Sequence, residues 1–171
     1  RRLTLLSKGE VIKIYKIALG GNPVGPKERQ GDNKTPEGTY IIDSRNRDSG
    51  YHLSLHISYP NEKDKMRAKE LGVSPGGDIM IHGIKNGLSW VDASHAEVDW
   101  TKGCIAVTDE ELEEIYKLVP NGPIVEIRPL KNGTIYRSAE VCPSPIERKR
   151  SSESCQLPAF CTREKDSKSS S

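Results

Sequence analysis

A single cysteine in a regularly patterned part of the chain is the first residue whose setting predicts chemistry. Cys104 follows Gly103 and opens a short apolar run, and His82 ends an earlier apolar run, directly before Gly83. A cysteine nucleophile needs a base that takes its proton and backbone N–H groups that bind the oxyanion of an acyl intermediate. Gly103 permits a tight turn that directs its own N–H and that of Cys104 to one point. These residues predict acyl transfer by a Cys–His pair.

Two other interpretations of the same residues stay open at this point. A cysteine in an apolar run is often a buried hydrophobe, and a histidine at a strand end is often only a polar terminus. A zinc site built from His56, His82 and Cys104 is the second alternative. Zinc needs three or four converging ligands, and these residues lack close ligand spacing. We therefore expect neither a metal nor an organic cofactor.

The composition predicts one domain of modest size. The chain has 171 residues, a hydrophobic fraction of 34% and a mean hydropathy of −0.63, so part of it is expected to lie outside a core. A net charge of +2 gives no field that favours nucleic acid. No apolar run approaches the roughly 20 residues of a membrane helix. Because the first residues include neither a methionine nor a long apolar segment, we expect a removed leader or a fragment.

Hydrophobic periodicity predicts about seven short strands. Their β-branched side chains are typical of sheets, and the first two strands predict a hairpin that turns at Lys8 and Gly9. Along residues 51–59 apolar and polar side chains alternate, as in a half-buried strand. The predicted strands cover residues 3–6, 10–19, 39–42, 51–59, 78–82, 104–107 and 124–127.

Two short helices are predicted between these strands. Asn61 is a candidate N-cap for the first helix, and Thr108 with Glu111 forms a capping box for the second. Residues 83–100 are predicted to form a long loop whose Trp90 and Trp100 wall a cleft. The sequence therefore predicts a mainly β, single-domain fold. The second helix has a regular apolar stripe, formed by Leu112, Ile115, Tyr116 and Val119.

The end of the chain differs in composition from the rest. Residues 130–171 are rich in Ser, Lys, Arg and Glu and lack periodicity. Such a segment buries too little apolar surface to offset its ordering entropy, so we predict a disordered tail after a catalytic domain at residues 1–129. The tail contains the other three cysteines, Cys142, Cys155 and Cys161, and no Cys-x-x-Cys pair supports a zinc ribbon.

Five short motifs occur in an order that resembles the YkuD-type L,D-transpeptidase catalytic domain. In chain order they are residues 31–40 (GDNKTPEGTY), 59–61 (YPN), 75–77 (PGG), 81–83 (IHG) and 101–105 (TKGCI). The likeness covers about residues 3–129. Five motifs in order are far more specific than any one of them, and they imply a YkuD-like β-sandwich or sheet with two short helices.

The resemblance implies an activity on bacterial peptidoglycan. Members of this family use the cysteine to attack the carbonyl of diaminopimelate in a stem tetrapeptide, which expels the terminal D-alanine. The acyl group then passes to an amine of another stem, to a lipoprotein lysine or to water. We therefore expect an exported, monomeric L,D-transpeptidase of the cell envelope or periplasm. Its expected partners are stem peptides and an envelope lipoprotein.

The motifs also imply a role for each site residue. Cys104 matches the nucleophile and His82 the general acid/base of the family. Gly103 matches the glycine before the cysteine, whose N–H is expected in the oxyanion hole. Thr101 matches the Ser/Thr that opens the cysteine motif, and the carbonyl of Gly83 is expected to orient the imidazole.

Two positions depart from the common family pattern. Lys102 stands where many members have a second histidine, and Ala106 stands where many have Arg or Asn. Substrate anchoring is then expected from Trp90, Trp100 and Lys102, beside Gly83 and Thr101. Two alternative functions stay open. One is a hydrolase of the same family, either an L,D-carboxypeptidase or an amidase that releases an envelope protein. The other is a peptidoglycan-binding module without catalysis.

Overall fold

A computed structural model describes residues 1–130, so the predicted disordered tail and its three cysteines lie outside the described residues. The described part contains seven strands, two α-helices and one 3₁₀ segment, Ser89–Glu97. The α-helices are α1 (Glu62–Glu70) and α2 (Asp109–Leu118). The strands are β1 (Arg2–Ser7), β2 (Glu10–Lys16), β3 (Gly38–Ser49), β4 (His52–Ile57), β5 (Met80–His82), β6 (Ile105–Ala106) and β7 (Ile124–Ile127).

The strands form one five-stranded sheet and one hairpin. The large sheet has the order β6-β5-β4-β3-β7, in which β5 and β6 are parallel and the other neighbours are antiparallel. The predicted hairpin of β1 and β2 is confirmed. A bridge between Ala18 and Ala106 joins the segment after β2 to β6, so the hairpin continues toward the strand that follows Cys104.

Both predicted helix starts are confirmed. The Asn61 side chain accepts N–H bonds at the start of α1, and Thr108 and Glu111 form the reciprocal capping box of α2. Helix α2 packs against β4 and β5 through buried Leu112 and Ile115. Burying one such side chain stabilises the fold by roughly 2 kcal/mol. The helix thereby supports the strand that ends at His82.

Three local features differ from the sequence predictions. Strand β3 was predicted to end at residue 42 but continues to Ser49. Its pairing with β4 shifts register between Ile42 and Ser44 and again between Asn46 and Ser49. Ser54, on the predicted polar face of β4, is buried. Within residues 83–100, the chain forms the 3₁₀ segment rather than only a loop. This segment is kinked at Asp92, whose φ of 44° interrupts the helical backbone.

Candidate active site

The sheet register relates Cys104 to His82. Ile81 pairs with Ile105 and His82 with Ala106 on the parallel strands β5 and β6. Cys104 comes directly before β6, and its thiol lies beside the start of β5, with Sγ 3.5 Å from the Asp78 carbonyl oxygen. The pairing of β5 with β6 therefore brings the segments that carry His82 and Cys104, 22 positions apart in the chain, next to each other.

His82 is held as a neutral base by its surroundings. The ring is buried, and Nδ1 donates a hydrogen bond to the backbone carbonyl of Gly83 at 2.7 Å. Burial lowers the pKa of His82; the Gly83 bond raises it, and nearby His95 lowers it again. A proton on Nδ1 leaves the lone pair on Nε2. The geometry therefore gives Nε2 the electronic state that a general base requires.

The Cys104 thiol is half-buried and is protonated at rest. It donates a hydrogen bond to the Asp78 carbonyl, with Sγ 3.5 Å from the oxygen. Burial raises the pKa of Cys104, and the negative charge of Asp78 adds to this, whereas the Met80 N–H and the Lys27 ammonium oppose it.

The turn before Cys104 depends on glycine. Gly103 has a φ of +130°, and a Cβ there would come within 2.6 Å of the Lys34 carbonyl oxygen. Thr101 Oγ1 accepts the Gly103 N–H at 3.1 Å and donates to the Cys104 carbonyl at 2.7 Å. The Gly103 N–H therefore has an acceptor in this structure, and the oxyanion role expected for it stays a prediction.

The residue 27–35 loop packs behind this turn and is tightly bonded. Lys27 Nζ lies 2.7 Å from Asp32 Oδ1, and both side chains are at least nine-tenths buried. Burial opposes ionisation of Asp32, but the hydrogen bonds from Lys27 and from the N–H groups of Arg29, Glu28 and Lys34 prevail and lower its pKa to about 2. Sequence reasoning identified this motif but missed Lys27, which precedes it.

Two aromatic rings pack next to the ring of His82. The Tyr51 and Trp100 ring centroids lie 4.6 Å and 5.8 Å from that of His82, and the two rings stack on each other at 24°. Trp100, a predicted site residue, is therefore at the imidazole. Trp90 is 78% exposed and outside this group, and Lys102 is exposed beside the turn. Sequence reasoning missed Tyr51 because it belongs to the β3–β4 turn.

A pocket of about 450 Å³ opens beyond this aromatic pair. The 3₁₀ segment forms its opposite wall and contributes His95, a buried side chain that the sequence placed only within the long loop predicted for residues 83–100.

No group of three His, Cys, Asp or Glu side chains within residues 1–130 is arranged to hold a metal ion. His56, considered for a zinc site, instead has its Nδ1 2.5 Å from Asp43 Oδ1. None of the helices described is long and apolar enough to cross a membrane.

Residues 1–127 match the model of the YkuD family, the L,D-transpeptidase catalytic domain. The chain belongs to this family. The predicted family is confirmed, and so is the predicted mainly β fold, with the 3₁₀ segment as a third short helix. The match covers the Cys104 turn, His82 and all seven strands.

The chain is also similar in sequence or in structure to several known proteins. The chain is 32% identical over 130 residues to "Putative L,D-transpeptidase YafK" of Escherichia coli K12, covering 74% of this chain and 44% of that protein. It therefore spans less than half the length of this relative. The helical cell shape determining protein Pgp2 from Campylobacter jejuni has a similar fold, with a TM-score of 0.54, 26% identity, and coverage of 76% of this chain and 48% of Pgp2. An L,D-transpeptidase from Mycobacterium smegmatis gives a TM-score of 0.46 at 15% identity, covering 74% of this chain and 58% of that one.

Proposed function

We propose that this L,D-transpeptidase domain transfers acyl groups of peptidoglycan stem peptides through a thioester on Cys104. The observation that carries the proposal is the parallel pairing of β5 with β6, which brings the segments of His82 and Cys104 together. The bond from His82 Nδ1 to the Gly83 carbonyl supports it, because it leaves the lone pair on Nε2. Family membership supplies the substrate class. The domain then acts where peptidoglycan is found, in the cell envelope or periplasm.

The first half of the reaction forms the thioester. His82 Nε2 takes the thiol proton as the sulfur attacks the diaminopimelate carbonyl. The Cys104 N–H binds the oxyanion, while Thr101 and Gly103 hold the turn that presents it. The tetrahedral intermediate then breaks its C–N bond, and the proton on His82 passes to the departing D-alanine amine.

The second half of the reaction reverses these steps with a new amine. His82 Nε2 takes a proton from the acceptor amine as its nitrogen attacks the thioester carbonyl. The C–S bond breaks, and the proton returns to the sulfur. The acceptor is an amine of a second stem or of an envelope lipoprotein.

The remaining site residues bind substrate in this proposal. Trp100 covers one side of the His82 ring, and the Gly83 carbonyl fixes the ring's orientation. Lys102, exposed beside the turn, attracts carboxylates of the stem peptide. Trp90 stands further out and contacts only the distal part of a long substrate. The site needs no metal or organic cofactor for these steps.

Acylation of Cys104 provides the direct test. The full chain is incubated with a disaccharide tetrapeptide, and separately with a carbapenem, and intact mass is measured. We expect loss of D-alanine, a crosslinked product, and a carbapenem adduct on Cys104. Cys104→Ala should lower turnover at least about 10³-fold. Cys142→Ala, which removes a thiol of the C-terminal segment, is the matched control and should react like the natural chain.

Two results would contradict the proposal. A folded protein that forms no adduct and releases no D-alanine would instead be a binding module. Release of D-alanine without any crosslinked product, at saturating acceptor, would identify water as the acceptor and the domain as a hydrolase.

A further inference from the structure

Asp109, the first residue of α2, makes a hydrogen bond far outside its own helix. Its Oδ1 accepts the backbone N–H of Ile84 at 2.7 Å, across 25 positions in the chain. An acidic residue in the first turn of a helix usually interacts with the helix dipole. Asp109 is half-buried and directs a carboxylate oxygen at the turn that follows His82, so it also acts on that turn.

The Ile84 N–H and the Gly83 carbonyl are the two ends of one peptide unit. Its carbonyl oxygen accepts the hydrogen bond from His82 Nδ1 at 2.7 Å, while its N–H donates to Asp109. A peptide unit is planar, so a partner that fixes the N–H also fixes the direction of the carbonyl. Asp109 is thus connected to the imidazole through one rigid peptide unit. Consecutive hydrogen bonds polarise one another, so the carboxylate also strengthens the bond to His82.

The preceding peptide unit, between His82 and Gly83, is held by main-chain groups. The His82 carbonyl accepts the Val107 N–H at 3.0 Å, and the Gly83 N–H donates to the Tyr51 carbonyl at 3.2 Å. Among these three partners of the two peptide units, Asp109 alone contributes a side chain. A substitution can therefore remove the Asp109 contact while the two main-chain contacts remain.

The Asp109 carboxylate also packs tightly against the turn. A Cβ added to Gly83 would lie 2.4 Å from Asp109 Oδ1 and 3.1 Å from His52 Cβ, so no side chain fits at this position. Buried Leu112 and Ile115 anchor α2 on strands β4 and β5. The helix therefore holds Asp109 at a fixed place, from which it sets the direction of the Gly83 carbonyl.

We infer that Asp109 is a positioning residue for the His82 base: it fixes the Gly83–Ile84 peptide unit, which holds the imidazole in the direction that the reaction with Cys104 requires. This inference rests on the proposed function. His82 Nε2 takes the thiol proton and later gives it to the departing amine, and Asp109 exchanges no proton in either step. The peptide carbonyl accepts the Nδ1 proton with or without Asp109, so this residue controls the direction of the ring and not its tautomer.

Carbapenem acylation of the full chain tests this role, with the saturating rate and the half-saturating concentration measured separately. Asp109→Ala should lower the saturating rate at least about 10-fold, as the loss of a group that orients a histidine commonly does. The half-saturating concentration should stay within about twofold, because the direction of the ring affects the chemical step and not carbapenem binding. Asp109→Asn keeps an oxygen acceptor and should restore the rate to within about threefold of the natural chain.

Glu110→Ala is the control for the helix itself. Glu110 is exposed and lies in the same first turn of α2, so its removal deletes an equal charge and reports any loss that comes from the helix dipole. This variant should be acylated like the natural chain. Should Asp109→Ala fail to fold, Asp109→Ser replaces it, because serine suits a helix start and its hydroxyl is too short to reach the Ile84 N–H.

Nuclear magnetic resonance gives a second measurement that needs no turnover. The ring Nδ1 proton of His82 and the amide proton of Ile84 should both exchange with water faster in Asp109→Ala, whereas neither should change in Glu110→Ala. This exchange distinguishes a loosened ring from a general loss of stability, which the control variant shares.

Two kinetic outcomes would overturn the inference. One is a saturating rate for Asp109→Ala within twofold of the natural chain, and the other is an equal loss of rate in Asp109→Ala and Asp109→Asn. If Cys104 of the natural chain is never acylated, the proposed function fails instead. Faster exchange that is specific to Asp109→Ala then still supports Asp109 as the residue that fixes the ring, and equal exchange in Asp109→Ala and Glu110→Ala overturns it.

Discussion

The two sides of the candidate site differ in how firmly they are held. On the Cys104 side, Asp32 receives the buried Lys27 ammonium and three backbone N–H groups. On the His95 side, the 3₁₀ segment begins without a side-chain cap, and Asp92 has a left-handed backbone. The Asp32 carboxylate on the first side accepts four hydrogen bonds. The second side has an open pocket, and the ring nitrogens of His95 have no hydrogen-bond partner within residues 1–130.

This difference fits the proposed reaction. In that reaction the nucleophile must meet the carbonyl in one geometry, and a misplacement of about 1 Å lowers the rate strongly. The Lys34 carbonyl, which belongs to the bonded loop, packs directly on Gly103 and so transmits that rigidity to the cysteine turn. The predictions below test the division by disturbing each side in turn.

The largest effect is expected from Gly103→Ala on the rigid side. The new methyl group would meet the Lys34 carbonyl oxygen at 2.6 Å, and the φ of +130° is strained for any L side chain. We expect carbapenem acylation of Cys104 to slow at least about 100-fold and the free energy of unfolding to fall by about 2–4 kcal/mol. Stopped-flow acylation and urea unfolding measure the two changes.

Gly122→Ala separates the steric contact from the backbone strain as causes of the lower acylation rate and stability. Gly122 also has a positive φ, of 97°, but a Cβ there meets no atom within 4 Å. This variant should show only a strain cost of about 1–2 kcal/mol and an unchanged acylation rate. Equal acylation rates in both variants would show that the contact with Lys34 does not position the thiol.

The next effect concerns the bonded loop itself. Because the pKa of Asp32 is about 2 when folded and 3.8 ordinarily, its ionised form stabilises the protein above about pH 4. That stability is lost as the pH falls toward 2. Asp32→Asn should lower the free energy of unfolding by about 3 kcal/mol at pH 7, since Lys27 is left buried and unpaired.

Urea unfolding of both proteins at pH 7 and near pH 2.5 measures this pH dependence. The difference between them should shrink at the lower pH, where Asp32 begins to be protonated in the natural chain as well. A difference that is the same at both pH values would mean that the carboxylate charge does not stabilise the loop.

The smallest effects are expected on the open side. Trp100→Ala should lower kcat/KM about 10-fold, because Trp100 covers the His82 ring and lines the pocket. Trp90→Ala removes a ring that is 78% exposed, and kcat/KM should stay within twofold. Steady-state kinetics with the tetrapeptide measures both. Equal losses in the two variants would place the substrate over Trp90 and contradict the boundary drawn for the pocket.

Local patterns in the sequence predicted most of the frame. The capping signals at Asn61 and Thr108 and the strand periods depend on neighbouring residues, so they could be read without the fold. These local features share one property, since each is encoded within a few consecutive residues. The pairing of His82 with Cys104 as base and nucleophile stays a prediction from the order of the motifs.

The missed features depend on contacts between distant segments. Lys27 gains its meaning only when Asp32 folds back on it, and Tyr51 reaches His82 from a turn between two strands. The 3₁₀ segment has no capping residue and is interrupted at Asp92, so no helical period marks it. Hydrogen bonds that the fold makes are also invisible in a sequence, such as the one from the Gly103 N–H to Thr101 Oγ1.

The group that accepts the hydrogen bond from His82 Nδ1 affects which substitutions the candidate site tolerates. Many histidines are oriented by a carboxylate, which a single replacement can delete. Here the acceptor is a peptide oxygen, which every amino acid has, so inherited variation nearby can proceed without altering which nitrogen holds the proton. The vulnerable point is the fit of Gly83 itself, where any Cβ would lie 2.4 Å from Asp109 Oδ1.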